Sequence, residues 1–510
     1  MLFSTMTFIY VFLPIVCTLY LVVRKELRNH LLLLASLVFY AWGEPKYLLV
    51  MLSVIGVNYI FALIIGKVKN IAVSQSVSQS VSQSVSQSVS QSVSQSVSQS
   101  VSQSSPNKSW WQHLPLILLS IALVANLSVL GYFKYFNFLC ENINLLFKTN
   151  IDFIKVVMPI GISFYTFQAI SYLVDVYRGD VKAQSNIYKL ALYISLFPQL
   201  IAGPIVKYHD VNEQIDYREV ELNDIAYGIK RFIIGLSKKM LLANTFGEIA
   251  DKVFEQDATA VSPLVAWIGA IAYTLQIFFD FSGYSDMAIG LGRIFGFKFK
   301  ENFNYPYISK TITEFWRRWH ISLSTWFKEY LYIPLGGNRK SPARTYINLS
   351  LVFLATGIWH GAAWNFIFWG LWNGFFIVVE RFFGLNRDKD YKWYQSGLLH
   401  VYCILAFVIG WVMFRAPDMT YALNYLGNMF GLVEHQEDLY KMWYYLDTIP
   451  VIAFIVAIIC SMPICKNILE ATNKRQIVLW IFNLWIYVLL IASTAQIAST
   501  TYNPFIYFRF

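Results

Sequence analysis

The feature that most restricts the possible folds of this sequence is a series of long apolar runs that recurs along the whole chain. A helix needs about 20 consecutive apolar residues to cross the hydrocarbon core of a bilayer. Runs of this kind, or close to it, lie at 6–23, 31–42 followed by 47–65, 114–133, 187–206, 225–246, 262–290, 346–380, 396–414, 448–463 and 477–497. A water-soluble fold could not bury all of them, so they predict an integral membrane protein.

The composition supports this interpretation. Of the 510 residues, 56% are hydrophobic and only 14% are charged, whereas soluble domains have about 25% charged residues. The net charge of +10 comes mostly from short basic clusters beside apolar runs, such as 24–28 and 66–69. Lysine and arginine in such positions set membrane topology, which predicts an external N-terminus for the first run. The clusters do not indicate nucleic-acid binding.

Three segments depart from a simple spanning helix. The sequence FPQLIAGP at 197–204 has two prolines inside an apolar run, which predicts a broken or re-entrant helix surrounded by protein. Segment 157–176 mixes apolar residues with Gly, Ser, Tyr and Gln, as expected for a helix buried among other helices. The run at 346–380 fits either one tilted helix or two shorter elements that meet near Gly357–Gly361.

A low-complexity segment interrupts the chain at residues 73–104, which are eight copies of Val-Ser-Gln-Ser. The segment has no aromatic or charged residue, so it cannot bury enough apolar surface to fold alone. It follows the basic cluster at 66–69, which places it on the cytoplasmic side. We therefore expect a disordered cytoplasmic loop inside an otherwise single domain, 1–510.

Histidine is well suited to proton transfer near neutral pH, and two of the seven histidines stand out. The other five lie at the edges of apolar runs or in polar loops, where an interfacial or solvated side chain is expected: His30, His113, His209, His400 and His435. His360 lies inside the run at 346–380 among small residues, which leave room for a ligand or for another helix. A hydrogen bond across a helix pair is the alternative explanation for His360.

The second unusual histidine, His320, lies in the segment EFWRRWHISLSTWFKEYLYIPLGG at 314–337. If residues 312–330 form one helix, its large apolar side chains share one face. These side chains are Ile312, Phe315, Trp316, Trp319, Leu323, Trp326 and Tyr330. The pattern predicts an amphipathic helix at the membrane interface, with His320 at the margin of the apolar face, where a side chain can face a cavity between bilayer and water. An interfacial helix in which the histidine is incidental is the alternative.

Polar residues are also dense at 276–292 and 300–316, where they must pair with one another, with water or with a substrate. A histidine such as His320 or His360 could remove the proton from a hydroxyl that attacks a thioester. The sequence has no GxSxG, HExxH or P-loop pattern, and its five scattered cysteines predict neither a disulfide framework nor a zinc site. Direct acyl transfer fits these residues best, although a channel or transporter remains an alternative at this point.

Several motifs resemble those of the membrane-bound O-acyltransferase family. The strongest are FDFSGYSDMAIG at 279–290, NFNYPYISKTITEFWRRWHISLSTWFKEYLYIPLGG at 302–337 and GIWHGAAWNFIFWGLWNG at 357–374. They are most similar to the bacterial branch that O-acetylates alginate or peptidoglycan, and the teichoic acid D-alanylation proteins are nearer to it than the eukaryotic members. The resemblance implies an all-α polytopic membrane fold. Roughly 11–13 membrane helices, with re-entrant and interfacial amphipathic helices, would surround a central tunnel.

The resemblance also implies a function. We expect acetyl transfer from a cytoplasmic acyl thioester, with acetyl-CoA as the donor, for O-acetylation of a cell-envelope or extracellular polysaccharide. The expected location is the bacterial cytoplasmic membrane, and the expected partner is an extracytoplasmic acetyltransferase of the SGNH type. No bound cofactor or metal is expected. The alternatives are D-alanyl transfer from a carrier protein and passage of an acyl group without acceptor chemistry.

The resemblance further assigns roles to residues. His320 and His360 are the implied catalytic pair, without a decision about which is the general base. Tyr507, in the aromatic tail 503–510, is a candidate acyl relay, and a membrane-interface anchor is the alternative for this tail. The other candidates for lining the tunnel or binding substrate are Asp280, Ser282, Tyr284, Asp286, Asn304, Trp316, Arg317, Arg318, Trp319, Ser324, Trp359 and Asn365.

Overall fold

The computed structural model describes residues 1–93, 113–386, 390–433, 441–472 and 475–506. These residues form twenty α-helices and no strand, so the predicted all-α fold is confirmed. The helices are α1 (Leu13–Val22), α2 (Arg28–Gly43), α3 (Leu48–Val93), α4 (Leu114–Phe147), α5 (Ile162–Arg178), α6 (Ile187–Ser195), α7 (Phe197–Leu200), α8 (Tyr208–Asp216), α9 (Leu222–Ser237), α10 (Asn244–Phe254), α11 (Pro263–Ile294), α12 (Ile312–Arg318), α13 (Ile321–Phe327), α14 (Pro342–His360), α15 (Trp364–Phe382), α16 (Trp393–Arg415), α17 (Met419–Met429), α18 (Thr448–Cys460), α19 (Ile464–Thr472) and α20 (Gln476–Ser499). Short π-helical segments precede α1, join α9 to α10 and follow α13.

Several of these helices are long and apolar enough to cross a membrane. Among the described residues, five meet this condition: Pro45–Ile71, Leu114–Phe147, Pro263–Ile294, Trp393–Arg415 and Gln476–Ser499. The pair α18 and α19, bent by 59°, would make a sixth if it forms one broken span. The larger number predicted from the sequence is not reached by this criterion, because several apolar runs fold as shorter helices.

The irregular runs fold largely as the sequence predicts. Helix α6 ends at Ser195, and α7 covers only Phe197–Leu200, with its side chains buried in protein. This confirms a broken helix in the run at 187–206. Helix α5 is buried along most of its length, as expected for a helix surrounded by others. The run at 346–380 forms two helices, α14 and α15, so the second alternative for this segment is correct.

The Val-Ser-Gln-Ser repeat differs in part from the expectation. Helix α3 continues through the first five copies of the repeat and ends at Val93, where the sequence predicts disorder. Extending an existing helix avoids the unfavourable nucleation step, which explains how a weakly helical sequence can continue α3. Residues 94–104 lie outside the described part of the chain, and the cytoplasmic placement of the repeat stays a prediction.

Helix α11 is the centre of the fold. About 83% of its most apolar stretch is buried inside the protein, compared with 11% for α20. It packs closely on α9 through facing glycines, and a Cβ added at Gly235 would lie 2.4 Å from the carbonyl oxygen of Gly283. Small residues at such a crossing allow two helix backbones to approach each other. This close contact fixes the polar residues of α11 relative to α9.

Helices α14 and α15 form a hairpin by the same means. A Cβ added at Gly357 would lie 2.4 Å from the carbonyl oxygen of Phe366, and one added at Gly370 would lie 2.4 Å from that of Phe353. His360 is the last residue of α14. The glycine contacts therefore determine where the C-terminal end of α14, and with it His360, is placed.

We predict that Gly370→Ala lowers stability, because its added methyl group would collide with the backbone of α14. Overpacking of this kind costs about 1–3 kcal/mol. Gly397→Ala is a matched control, since Gly397 lies within α16 and an added Cβ would meet nothing within 4 Å. Alanine should be neutral or stabilising there, by up to about 1 kcal/mol. Thermal unfolding of both purified variants in detergent provides the comparison, and an unchanged or higher Tm for Gly370→Ala would contradict it.

Candidate active site

His320 lies at a break between two short helices. The single helix predicted over 312–330 is wrong, because α12 ends at Arg318 and α13 begins at Ile321. His320 itself has φ 43° and ψ 53°, a left-handed conformation that is uncommon outside glycine. A neighbouring loop supplies alternative hydrogen bonds, since the Asn304 N–H donates to the Arg318 carbonyl and the Ile321 N–H donates to the Asn302 carbonyl. These bonds explain why the helix does not continue.

The break also changes where His320 points. The predicted apolar face is buried except at Tyr330, which is partly exposed. His320 is not at a wet margin, because its exposure is 0%. Its ring meets the edge of the Phe281 ring, with centroids 4.6 Å apart. The histidine therefore lies in the protein interior rather than between bilayer and water.

Asn302 holds His320 in a defined tautomer. Its Oδ1 accepts hydrogen bonds from the N–H and hydroxyl groups of Ser322 and lies 3.2 Å from Nδ1 of His320. Its Nδ2 donates to the Ser285 hydroxyl at 3.0 Å. Since an amide oxygen only accepts, Nδ1 of His320 carries the proton in this bond and Nε2 retains its lone pair. Nε2 is buried and has no hydrogen-bond partner in the described part of the chain.

His360 lies in an aromatic enclosure next to His320. Its ring centroid is 4.8 Å from Trp359, 4.9 Å from Trp369 and 5.2 Å from Phe414. The Trp359 ring also lies 6.3 Å from the ring of His320. The structure thus brings together the two histidines that the sequence singled out, with one tryptophan between them.

Helix α4 holds the end of α14 on which His360 is carried. The final carbonyl groups of a helix have no partner within the helix. Lys134 donates to the carbonyls of Trp359 and His360, at 2.5 and 3.0 Å, and Tyr135 donates to that of Ile358. A positive charge is also favourable at a helix C-terminus. Sequence reasoning missed Lys134, although a lysine inside the apolar sequence GYFKYF was a usable signal.

Two cavities lie near the C-terminal end of α14. The first, here called the histidine cavity, has a volume of about 310 Å³ and is lined by Glu44, Lys134, Ser163, Trp359 and His360, among others. The second, called the tail cavity, has a volume of about 480 Å³ and is lined in part by Lys134, Gln276, Asn365, Arg415 and Ile506. Lys134 and Met158 line both, so the two cavities are neighbours.

The candidate residues on α11 are buried but do not line either of these cavities. Asp280 forms an ion pair with Lys239, and Asp286 forms ion pairs with Arg231 and Lys238. The Ser282 and Tyr284 hydroxyls have no hydrogen-bond partner among the described residues. The ring of Tyr284 lies between those of Phe3 and Phe505.

The remaining candidates divide into buried and exposed residues. Trp316 and Trp319 are buried, and Nε1 of Trp316 donates to Asn373 at 3.0 Å. Asn365 lines the tail cavity and donates to the Ala416 carbonyl at 2.8 Å. Ser324 is partly buried and its hydroxyl has no partner in the described ranges.

The exposed candidates lie away from the histidines. Arg317 and Asn304 are exposed, and Arg318 pairs with Glu314 at 2.9 Å. Within the sequence NFN, the structure therefore places Asn302 rather than Asn304 at the site. His435 and Tyr507 lie outside the described residues.

Comparison with known proteins identifies the family. The sequence profile of the membrane-bound O-acyltransferase family matches residues 180–419, which include both histidines. A Pseudomonas putida protein named as a probable alginate O-acetylase, AlgI, is 36% identical over 544 residues, covering all of both chains. The chain belongs to the membrane-bound O-acyltransferase family.

Two further relatives of this acyltransferase have other acceptors in their names. A peptidoglycan O-acetyltransferase of Helicobacter pylori is 37% identical over 470 residues, covering 85% of this chain and 80% of its own. A teichoic acid D-alanyltransferase of Bacillus subtilis is 33% identical over 251 residues, covering 47% of this chain and 62% of its own. The family and the apolar helices together establish a multi-pass membrane enzyme that transfers acyl groups.

We predict that Lys134→Met reduces acyl transfer at least tenfold, because the carbonyls at the end of α14 lose their donor. Buried groups left without partners cost about 1–3 kcal/mol. Lys134→Arg should retain part of the activity. Lys69→Met is a matched control, since Lys69 donates to the Tyr177 carbonyl at the end of α5, at 2.8 Å. It should lower the Tm similarly but leave transfer intact. Equal activity losses in the two methionine variants would show that the effect is one of stability.

Proposed function

We propose that this acyltransferase moves an acetyl group from acetyl-CoA across the bacterial cytoplasmic membrane for O-acetylation of a cell-envelope or extracellular polysaccharide. The observation that carries the proposal is a His320–Trp359–His360 cluster beside the histidine cavity, within a chain similar over its full length to an alginate O-acetylase. The similarity to a D-alanyltransferase covers only 47% of the chain, which makes D-alanyl transfer the second candidate.

A third cavity supports donor entry from the side of His320. This lysine cavity has a volume of about 50 Å³ and is lined by Lys207, Lys298, Lys300, Asp210, Glu301 and Ser322, among others. Lys207 and Lys300 are ion-paired with Glu329 and Asp210, so a phosphate would have to share these lysines with the two carboxylates. Ammonium groups bind phosphates through charge-assisted hydrogen bonds, and acetyl-CoA carries several phosphates. Ser322 hydrogen-bonds to Asn302, which holds His320. A series of contacts therefore runs from the lysine cavity through the two histidines to the histidine cavity.

The proposed chemistry assigns different tasks to the two histidines. His360 lines the histidine cavity, so it can reach a hydroxyl and act as the general base. The deprotonated oxygen attacks the thioester carbonyl carbon; a C–O bond forms, the C–S bond breaks, and the leaving thiolate takes the proton from His360. His320, whose Nε2 keeps a lone pair, stabilises the positive charge that develops on His360. A general base contributes about 10²–10⁴-fold to the rate.

We expect His360→Ala and His320→Ala to lose at least 100-fold in acetyl transfer, while both proteins insert normally into the membrane. Asn302→Leu, which removes the acceptor for Nδ1 of His320, should cause a smaller loss. His400→Ala is the control, because His400 is only partly buried, hydrogen-bonds to the Ser309 carbonyl and lines neither the histidine cavity nor the tail cavity. Transfer from radiolabelled acetyl-CoA is the measurement. Wild-type rates in both alanine variants would reject the assignment.

The aromatic tail suggests where the acetyl group goes next. We propose that the hydroxyl of Tyr507 is the first acceptor and that an extracytoplasmic acetyltransferase of the SGNH type transfers the acetyl group onward to the polysaccharide. In the first reaction the acetyl group forms an ester with the phenol oxygen of Tyr507. A hydroxyl of the partner or of the polysaccharide later attacks this ester, takes the acetyl group and releases Tyr507 with its hydroxyl restored. The proposal requires the tail to lie near the cavities. Ile506, which immediately precedes Tyr507, lines the tail cavity.

Tyr507→Phe should abolish acetylation of the acceptor, because it keeps the ring and removes the hydroxyl. Wild-type protein incubated with labelled acetyl-CoA in the absence of a partner should become labelled, and the variant should not. Tyr487→Phe, at an exposed tyrosine of α20, serves as the control. Unchanged acceptor acetylation in Tyr507→Phe would contradict the relay and leave the tail as an interface anchor.

The same labelling experiment separates the alternatives. Label on added glycan without label on the protein indicates direct transfer, and label on neither indicates passage of an acyl group without chemistry by this chain. Label that appears only with a D-alanyl carrier protein as donor indicates D-alanyl transfer. Each of these results would replace the proposed relay with a different reaction.

A further inference from the structure

We propose that the buried ion pair between Lys239 and Asp280 is a clamp that holds the C-terminal segment 502–506 against the tail cavity. The clamp assigns a positioning role to two charged residues that lie outside the histidine cluster. Its effect on catalysis rests on the proposed relay function of Tyr507, whereas the clamp itself does not. The contacts of the ion pair and of the tail support it independently.

The ion pair is deeply buried and needs further hydrogen bonds. Nζ of Lys239 lies 3.0 Å from Oδ1 of Asp280, and each side chain is only 2% exposed. Removing two charges from water costs several kcal/mol per ion unless additional polar groups complete the site. Asn244 provides one such group, because its Oδ1 accepts from Nζ of Lys239 at 2.8 Å.

The tail backbone provides the other partners of the pair. The N–H of Ile506 donates to Oδ2 of Asp280 at 3.0 Å, and the carbonyl of Pro504 accepts a hydrogen bond from Nζ of Lys239. The tail backbone therefore binds both members of the ion pair: the N–H of Ile506 binds the carboxylate, and the carbonyl of Pro504 binds the ammonium group. Loss of the tail would leave both charges with unfilled hydrogen-bonding capacity at a buried site, so the ion pair and the tail stabilise each other.

The neighbouring tail residues have their own buried contacts. The Tyr502 hydroxyl donates to Asp251 at 2.7 Å, and its carbonyl accepts from Asn244 at 3.2 Å. Asn503 donates to the carbonyl and hydroxyl of Ser4, near the other end of the chain, at 3.0 and 3.1 Å. Phe505 is 5% exposed, with its ring 4.7 Å from that of Tyr284.

These contacts hold Ile506 against the tail cavity. Ile506 is 4% exposed, and it lines the tail cavity together with Gly361 and Asn365, the residues that follow His360. Tyr507 is bonded directly to Ile506. Since consecutive Cα atoms are about 3.8 Å apart, the clamp determines where the chain continues relative to the cavity. Asp280 is thus a positioning residue for the tail rather than a residue that lines the tunnel.

Hydrogen–deuterium exchange of the full-length protein in detergent, read by mass spectrometry on the C-terminal peptide, tests the clamp. In the wild type the amides of 502 and 506 should be protected, because they donate to the Thr500 hydroxyl and to Asp280. Asp280→Asn should increase their exchange at least tenfold, without a similar increase in α11. Asp286→Asn is the matched control, because Asp286 is a buried, ion-paired carboxylate of the same helix that bonds to α9 and its π-helical extension. It should leave tail protection unchanged.

A second variant keeps the test decisive if Asp280→Asn does not fold. Ile506→Pro removes the N–H that donates to Asp280 and leaves the ion pair in place, so the amide of 502 should exchange faster. Either variant should lower kcat at least tenfold while KM for acetyl-CoA changes less than twofold. Unchanged tail exchange in both variants would overturn the clamp. Faster exchange with unchanged kcat would support the clamp and count against the relay.

Discussion

Backbone groups that are freed where a helix breaks inside a membrane must be hydrogen-bonded within the protein, and this requirement is met at both histidines. His320 lies between α12 and α13, where the segment 302–304 supplies the missing backbone partners. His360 ends α14, where Lys134 and Tyr135 bind the last carbonyls. A side chain within a continuous helix points outward from the helix axis. A side chain at a helix break can instead point into the space between the two helix ends. The two breaks therefore place both imidazoles against the same tryptophan, Trp359.

Close packing of the helices fixes the positions of these two breaks relative to each other. The α14–α15 hairpin has a glycine on each side of its contact, and α9 and α11 meet in the same way. Without a strong hydrophobic force between helices in lipid, such backbone contacts and interhelical hydrogen bonds carry much of the association. Large aromatic rings fill the remaining space around the histidines, including Trp369, Phe414 and Phe281. The result is a water-poor site bordered by cavities.

Sequence reasoning was effective where a single residue type determined the outcome. The all-helical membrane fold and the break in the run at 187–206 followed from apolar runs and prolines. Isolated histidines and recognisable motifs singled out His320 and His360, whose rings both lie near that of Trp359. Sequence reasoning failed where long-range hydrogen bonds compete with helical periodicity. The pattern over 312–330 is compatible with one helix, and only the partners offered by Asn302 and Asn304 make the break at His320 favourable. The sequence also suggested Asn304 as a site residue, whereas the structure places Asn302 beside His320. The two asparagines look equivalent in the sequence NFN, but Asn302 is buried and Asn304 is exposed.

The two buried carboxylates of α11, Asp280 and Asp286, have different structural roles because their hydrogen-bond and ion-pair partners differ. Asp286 is satisfied by Arg231 and Lys238, so it joins α11 to α9 and the π-helical segment that follows α9. Asp280 lies six residues earlier on α11 and has one cationic partner, Lys239. Its other oxygen, Oδ2, accepts a hydrogen bond from the N–H of Ile506. A carboxylate such as Asp286, which is paired with side chains of other helices, stabilises the packing of those helices. Asp280 instead accepts a hydrogen bond from the tail backbone, so the position of segment 502–506 depends on a charge inside the membrane domain. The second arrangement has a functional consequence only if the residue after Ile506 takes part in the chemistry.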